Sequence, residues 1–461
     1  MILKIVLVVG PLLAAIYFWA KPSSVPTKII VSIICIPALI AGVWLPVKET
    51  AERKEQDEAS RYDRELLERQ ELRGQGFPTA YIDGLGENPL LKHHFNEGQR
   101  YEKEYKFEEA IEEFNKCLSH PGATEENRVA ANILIGNCYY AQSRFKEAEE
   151  HYRGALDISK RVKDKSEALR GRAVALGNIG VVLHQKGHLE GALEYYRKAL
   201  KIHEKIGNLS GMASDYGNIG LILEQKGDLE GAIGNHREAL KMFESLGDLR
   251  GAARSYGNIG NALVQAGDLD GALKNHRKSL DINEGLRDLS EMAKNYNNIG
   301  VVVKEKGQFE EALKSHMQAL RINKSIGRRD GIAINYCNIG NVLALQGNLD
   351  AALESYREDL IISQEIGQPE GIARAHINMG SIHYQKGLYK SAALLQFQGL
   401  SIYSQIGMKP HVEKAQRHLA ISVRKLRDQG KFEEFLQEAK DKFGEEVEKL
   451  LGGLFTADEA D

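Results

Sequence analysis

A 40-residue period runs through most of this chain and limits what it can fold into. The stretch at 217–256, GNIGLILEQKGDLEGAIGNHREALKMFESLGDLRGAARSY, returns with small changes. Its copies open as GNIGVVLHQKG at Gly177, GNIGNALVQAG at Gly257, NNIGVVVKEKG at Asn297, CNIGNVLALQG at Cys337 and INMGSIHYQKG at Ile377. Self-similarity at this spacing specifies one supersecondary unit stacked on copies of itself.

Each unit reads as two helices. Tyr216, Ile219, Gly220 and Leu223 fall at i, i+3, i+4 and i+7, on one helical face. Gly227 ends that helix, because glycine accepts the left-handed conformation just past a helix end. A second helix is expected from Leu229 to Leu246, with Ala232, His236, Ala239, Leu240 and Phe243 inside, and Gly247 and Asp248 close it. The first helix carries Gly180, Gly220, Gly260, Gly300, Gly340 and Gly380 at one equivalent position. The second carries Ala192, Ala232, Ala272, Ala312, Ala352 and Ala392 at another. A glycine inside a helix costs roughly 1 kcal/mol against alanine, so its recurrence requires a steric reason, namely close approach of the partner helix.

This order of Tyr, Leu or Ile, Gly, then a later Ala, aromatic and Ala resembles the tetratricopeptide repeat. The usual period there is about 34 residues. The longer units here are similar to the extended repeats of spindle-orientation adaptors and kinesin light chains. The match spans residues 91–412. It includes two degenerate copies marked by Gly98, Tyr101, Ala110 and Phe114, and by Gly136, Tyr139, Ala148 and Tyr152. Val412–Asp428 and Phe432–Phe443 read as a more polar pair that closes the stack. The resemblance implies an all-α, right-handed superhelical solenoid of about eight helix pairs plus a C-terminal capping pair. The solenoid is placed at 90–410, and capping helices with an acidic tail at 411–461.

Composition agrees. A solenoid absorbs most of the 461 residues as one body, and 43% apolar with 27% charged residues is ordinary for a soluble fold. A net charge of −3 points away from a nucleic-acid partner. Cys35, Cys117, Cys138 and Cys337 form no CxxC pair, which fits a reducing compartment and a packing role.

The first 47 residues differ. Ile2 to Ala20 is apolar apart from Lys4, and Ile29 to Val47 carries no charge. Nineteen helical residues span roughly 28 Å, close to the hydrocarbon thickness of a bilayer. A cleaved signal peptide is the rival for the first span, but Phe18-Trp19-Ala20 lacks the small residues of a cut site. A transmembrane hairpin is therefore expected over 1–47. Lys21 and Lys28 lie in the loop, whereas Lys4, Lys48, Arg53, Lys54, Arg61 and Arg64 flank it, which favours both termini and the repeats in the cytoplasm. Charged residues 49–75 read as a helical stalk, either a spacer or, through Tyr62, Leu66 and Leu72, a site of self-association. A turn-rich linker at 74–89 completes the 48–89 segment.

The first helices are expected to line the concave surface. On them Asn178, Asn218, Asn258, Asn298, Asn338 and Asn378 recur two residues before the packing glycine. A carboxamide carries donor and acceptor together and can pair with both main-chain groups of an extended peptide. The row resembles that in the repeats of the nucleocytoplasmic O-linked N-acetylglucosamine transferase, whose catalytic domain has no counterpart here. The other reading is that each asparagine bonds to the adjacent repeat and orders the stack. Beside the constant row lies a variable one, Val174, Ser214, Arg254, Lys294, Ile334 and Arg374, four residues before each asparagine. A second variable row follows three residues after, from Val181 and Leu221 through Asn261 to Ser381. Arg254, Lys294 and Arg374 hint at a polar or acidic ligand.

His236, His276 and His316 recur 40 apart where other repeats carry Tyr196 and Tyr356. They are too far apart to share a metal, which needs ligands about 2 Å from one ion, so they read as core residues. His184 and His188 straddle the Gly187 turn with no third ligand nearby. No phosphate loop, HExxH, GxSxG or dinucleotide fingerprint is present. No cofactor or metal is expected. The expected function is a non-enzymatic, membrane-anchored scaffold or adaptor that binds an extended partner segment in its groove. The alternatives are a self-assembling membrane organiser and the regulatory subunit of an enzyme encoded elsewhere.

Overall fold

The computed structural model describes residues 88–447 and residue 450. Among these residues the chain forms eighteen α-helices and no strand. They run in pairs: α1 and α2 (Pro89–Lys103, Phe107–Ser119), α3 and α4 (Glu125–Ala141, Phe145–Ser159), then α5 and α6 (Lys165–Gln185, Leu189–Ile206). The regular stack continues with α7 and α8 (Leu209–Gln225, Leu229–Leu246), α9 and α10 (Leu249–Gln265, Leu269–Leu286), and α11 and α12 (Leu289–Glu305, Phe309–Ser325). It ends with α13 and α14 (Arg329–Leu345, Leu349–Glu365) and α15 and α16 (Pro369–Gln385, Tyr389–Gln405), followed by the closing pair α17 and α18 (Lys409–Asp428, Phe432–Phe443). The eight expected repeats and the closing pair are all present. α17 starts three residues before the expected Val412, because Pro410 in its first turn lies where a missing N–H does no harm.

The apolar spans expected at 2–20 and 29–47, the stalk, all but the end of the linker, and the tail beyond 450 lie outside the described residues. Among the described residues no helix is long and apolar enough to cross a membrane.

Local chemistry sets the helix ends. Gly227 sits at φ +81° and Gly247 at +67°, the left-handed conformation that stops α7 and α8. Asp228 and Asp248 then cap the next helix, each accepting the N–H three residues on at 2.9 Å. Arg287 departs from this pattern: it holds φ 54° where the preceding repeat has Gly247.

Pairs are clamped at the recurrent glycine. A Cβ on Gly220 would lie 2.6 Å from His236, one on Gly340 2.6 Å from Tyr356, and one on Gly136 2.5 Å from Tyr152. The ring of the second helix therefore rests on the bare backbone of the first. Successive first helices touch along the regular stack, while successive second helices meet comparably only at the C-terminal end. The first-helix face is thus the inner side of the curve.

His236, His276 and His316 are fully buried, with both ring nitrogens unpartnered. Burial pulls each pKa down to about 4, with Lys304 adding to the effect at His316. Tyrosine at the same place does better where the residue after the glycine is asparagine. Tyr152 donates to Asn137 and Tyr356 to Asn341, both at 2.8 Å. Cys117, Cys138 and Cys337 are buried thiols.

Two outcomes are expected. The unfolded histidines titrate near 6.5 and the folded ones near 4, so the unfolded chain binds more protons between these values. Stability is then full above pH 6.5 and falls as pH drops towards 4, by up to about 3 kcal/mol for each histidine. His276→Tyr, whose hydroxyl would reach Asn261, should raise Tm and shrink the difference in Tm between pH 7.5 and pH 5 measured by circular dichroism. Arg287→Gly should stabilise by about 0.5–1 kcal/mol in urea unfolding by relieving the left-handed strain.

Candidate functional site

All six asparagines of the row are half-buried on the inner face. Four donate to the first helix of the preceding repeat. Asn178 Nδ2 reaches Asn137 Oδ1 at 3.3 Å, Asn298 reaches Asn261 at 3.4 Å, Asn338 reaches Asn297 at 2.8 Å, and Asn378 reaches the Cys337 sulfur at 3.5 Å. These are rungs between repeats, so the stack-ordering reading holds for them. Asn218 and Asn258 make no side-chain hydrogen bond among the described residues.

The neighbouring repeat decides which asparagines are engaged. Asn178 and Asn298 follow repeats that carry Asn137 and Asn261 just after the packing glycine, whereas Asn218 and Asn258 follow Val181 and Leu221, which cannot accept. A second position works in the same direction. Three residues before the glycine stand Gly177, Gly217 and Gly257, but then Asn297, Cys337 and Ile377. Asn297 and Cys337 supply the acceptors for Asn338 and Asn378, while a Cβ on Gly217 would meet nothing within 4 Å. The inner wall is bare backbone at Gly217 and Gly257 and filled from Asn297 onwards.

The three cations of the variable row have different fates. Arg254 is exposed and lies over the Phe243 ring, 5.7 Å from its centre. Lys294 is exposed and pairs with Glu291 one turn earlier. Arg374 is turned inward: its guanidinium donates to Asp359 Oδ1 at 3.0 Å, and Asp359 is fully buried. Burial pushes the Asp359 carboxyl up, and the Arg374 charge opposes that shift. Arg374 is therefore neutralised within the protein, and the expectation that its charge faces a ligand does not hold.

Earlier junctions carry a buried polar bridge in a different register, at 203/215, 283/295 and 323/335, whose members differ in type. His203 and Asp215 are buried with Nδ1 and Oδ2 2.8 Å apart; burial raises the Asp215 carboxyl and the imidazole contact works against that rise. Asn283 donates to Asn295 at 2.8 Å and Asn323 to Asn335 at 2.7 Å. Each bridge joins the last turns of a second helix to the next first helix. At the α8–α9 junction the place is taken by Phe243, which packs on Gly251, while Ser255 bonds within its own helix.

Beside that junction lies a cavity of about 400 Å³ between α9 and α11, floored by α10. Arg250, Arg254, Asn258 and Asn261 form one wall. Asp288, Glu291, Lys294 and Asn298 form the other, and Ser279, Asn283 and Asn295 lie at the base. The base is an ordered chain, in which Asn295 donates to Ser279 at 2.9 Å and Ser279 to the Ala253 carbonyl at 2.8 Å. Room for the cavity comes from Gly257, where a Cβ would meet only the Ser279 hydroxyl, at 3.8 Å. Among the described residues no group of three or more His, Cys, Asp and Glu is placed to hold a metal.

The tetratricopeptide repeat family model matches residues 128–205, 211–285, 291–360 and 331–405. No curated protein sequence matches the chain. Among solved structures, the apo form of the quorum sensor NprR from B. thuringiensis superposes with a TM-score of 0.55 at 18% identity. That match covers 79% of this chain and 98% of NprR. The apo form of RapI superposes with a TM-score of 0.54 at 16% identity, covering 74% of this chain and 99% of RapI. At these identities the likeness is one of fold.

Proposed function

This chain belongs to the tetratricopeptide repeat family, and from that premise we propose that it is a non-enzymatic interaction scaffold holding an extended segment of a partner protein along its first-helix face. The observation that carries this reading is the pair Asn218 and Asn258, whose carboxamides have no partner among the described residues and stand on the bare part of the inner wall. Each can accept from and donate to a main chain. Neighbouring helices lie roughly 8–10 Å apart and an extended residue spans roughly 3.3 Å, so the two asparagines take hold of about every third residue. The engaged asparagines at 178, 298, 338 and 378 contribute to the stack more than to the guest.

We place the scaffold at a membrane, through 2–20 and 29–47, with the solenoid on the cytoplasmic side. Support for this comes from the sequence: two spans of bilayer length and basic residues concentrated outside the loop between them.

Affinity capture on the full chain in native membranes, read by mass spectrometry, tests the groove. Replacing Asn218 and Asn258 together with alanine should weaken recovery of the captured partner about 10- to 100-fold, at roughly 1 kcal/mol per lost hydrogen bond, and leave Tm unchanged. Asn338→Ala should do the reverse, lowering stability by about 0.5–1 kcal/mol with capture retained. Undiminished capture by the double variant would remove the groove from the mechanism.

A further inference from the structure

The floor of the cavity between α9 and α11 has a polarity fixed by where its hydrogen bonds end. The Ala253 carbonyl can only accept, so the Ser279 hydroxyl donates its one proton there, at 2.8 Å. Ser279 Oγ then accepts from Asn295 Nδ2 at 2.9 Å, and Asn295 Oδ1 from Asn283 Nδ2 at 2.8 Å. This order settles which end of the Asn283 amide is oxygen. Asn283 is 3% exposed and lines the cavity, and its Oδ1 accepts no hydrogen bond among the described residues. One repeat further on the same arrangement is closed. There Asn323 donates to Asn335, but Asn335 donates to Asn297, which stands where α9 has Gly257, and Asn323 Oδ1 is sealed in without a partner. Glycine at 257 leaves the corresponding acceptor open to the cavity.

The rim is close to neutral. Arg250, Arg254 and Lys294 face Asp288 and Glu291. Asp288 caps α11 by accepting the Glu291 N–H at 3.2 Å, and Glu291 pairs with Lys294. An anion entering this space meets two carboxylates and the Asn283 oxygen, whereas a cation meets two guanidinium groups. A neutral group that donates inward and accepts outward meets neither penalty.

We infer that the cavity takes the carboxamide of one glutamine or asparagine side chain of the guest, its N–H donated to Asn283 Oδ1 and its oxygen turned towards Arg250 and Arg254 at the mouth. A carboxamide supplies donor and acceptor from one neutral group. A guest side chain without a donor strands the buried oxygen, and a site built around a ligand N–H rejects analogues lacking it for that reason. The assignment rests on the groove reading above and adds the one side chain that the groove distinguishes. It also gives the glycine at 257 a purpose, since the asparagine found there in the next repeat closes the space.

The test uses the full chain and a phage-displayed library of random dodecapeptides. Peptides selected by the parent chain should share a Gln or Asn at one fixed position. In synthetic copies, replacing that residue by Glu or by Met should weaken binding about tenfold in either case. Gly257→Asn reproduces the packing of the next repeat and fills the cavity without altering a charge, so with this variant the Gln and Met copies should bind within about twofold of each other. A second variant, Arg250→Ala/Arg254→Ala, should weaken the Gln copy about threefold and leave the Met copy unchanged. Selected peptides that require Asn218 and Asn258 but fix an acidic, basic or hydroxyl side chain, or no residue, would overturn the assignment alone. A Gln-to-Met penalty untouched by Gly257→Asn would do the same. Peptides indifferent to loss of Asn218 and Asn258, or no enrichment at all, would overturn the groove reading beneath it.

Discussion

The contact on which the structure depends is the one between a hydrogen-bearing Cα and a ring. At Gly98, Gly136, Gly180, Gly220, Gly260, Gly300 and Gly340 the first helix has no side chain, and the ring of Phe114, Tyr152, Tyr196, His236, His276, His316 or Tyr356 lies on its backbone. Any Cβ there would overlap the ring. Each pair is drawn together at that point, which leaves its outer faces to be buried by the next pair. Such a unit cannot bury its apolar surface alone and is stabilised only by neighbours.

Because this contact recurs at constant spacing, most of the fold is legible in the sequence. The left-handed glycines, the aspartates that follow them and the alanines one turn before the rings place helix ends within a few residues of those observed. The parts that are not legible involve pairs of different residue types. His203 with Asp215 and Asn283 with Asn295 fill one register with unlike side chains, and Asp359 with Arg374 bridges a later junction from another register, so no periodic signal marks them. For this reason Arg374 reads as a groove charge in the sequence and is an interior ion pair in the structure.

The asparagine row is legible in the sequence as a row, but its period alone does not separate its two populations. A second signal does, since an asparagine can bond backwards only if the preceding repeat offers an acceptor. Val181 and Leu221 offer none, whereas Asn137, Asn261, Asn297 and Cys337 do. Reading each position together with its counterpart one repeat earlier therefore distinguishes structural carboxamides from uncommitted ones. The cavity at α9–α11 follows from the same comparison, through the change from Gly257 to Asn297.

The junction between the fourth and fifth helix pairs has a mechanical consequence. Every other junction from the third pair to the eighth has a groove-side rung, a buried polar bridge or both, and these directional bonds fix the angle between neighbours. At α8–α9 there is no rung from Asn258, and the bridge is replaced by Phe243 against Gly251. Apolar contact is non-directional, so it tolerates sliding that a hydrogen bond would resist. The hydrogen bonds that do cross it, Tyr256 to Glu244 and Gln265 to Glu224, are exposed, so the buried part of this joint beside the vacant carboxamides is held by shape alone.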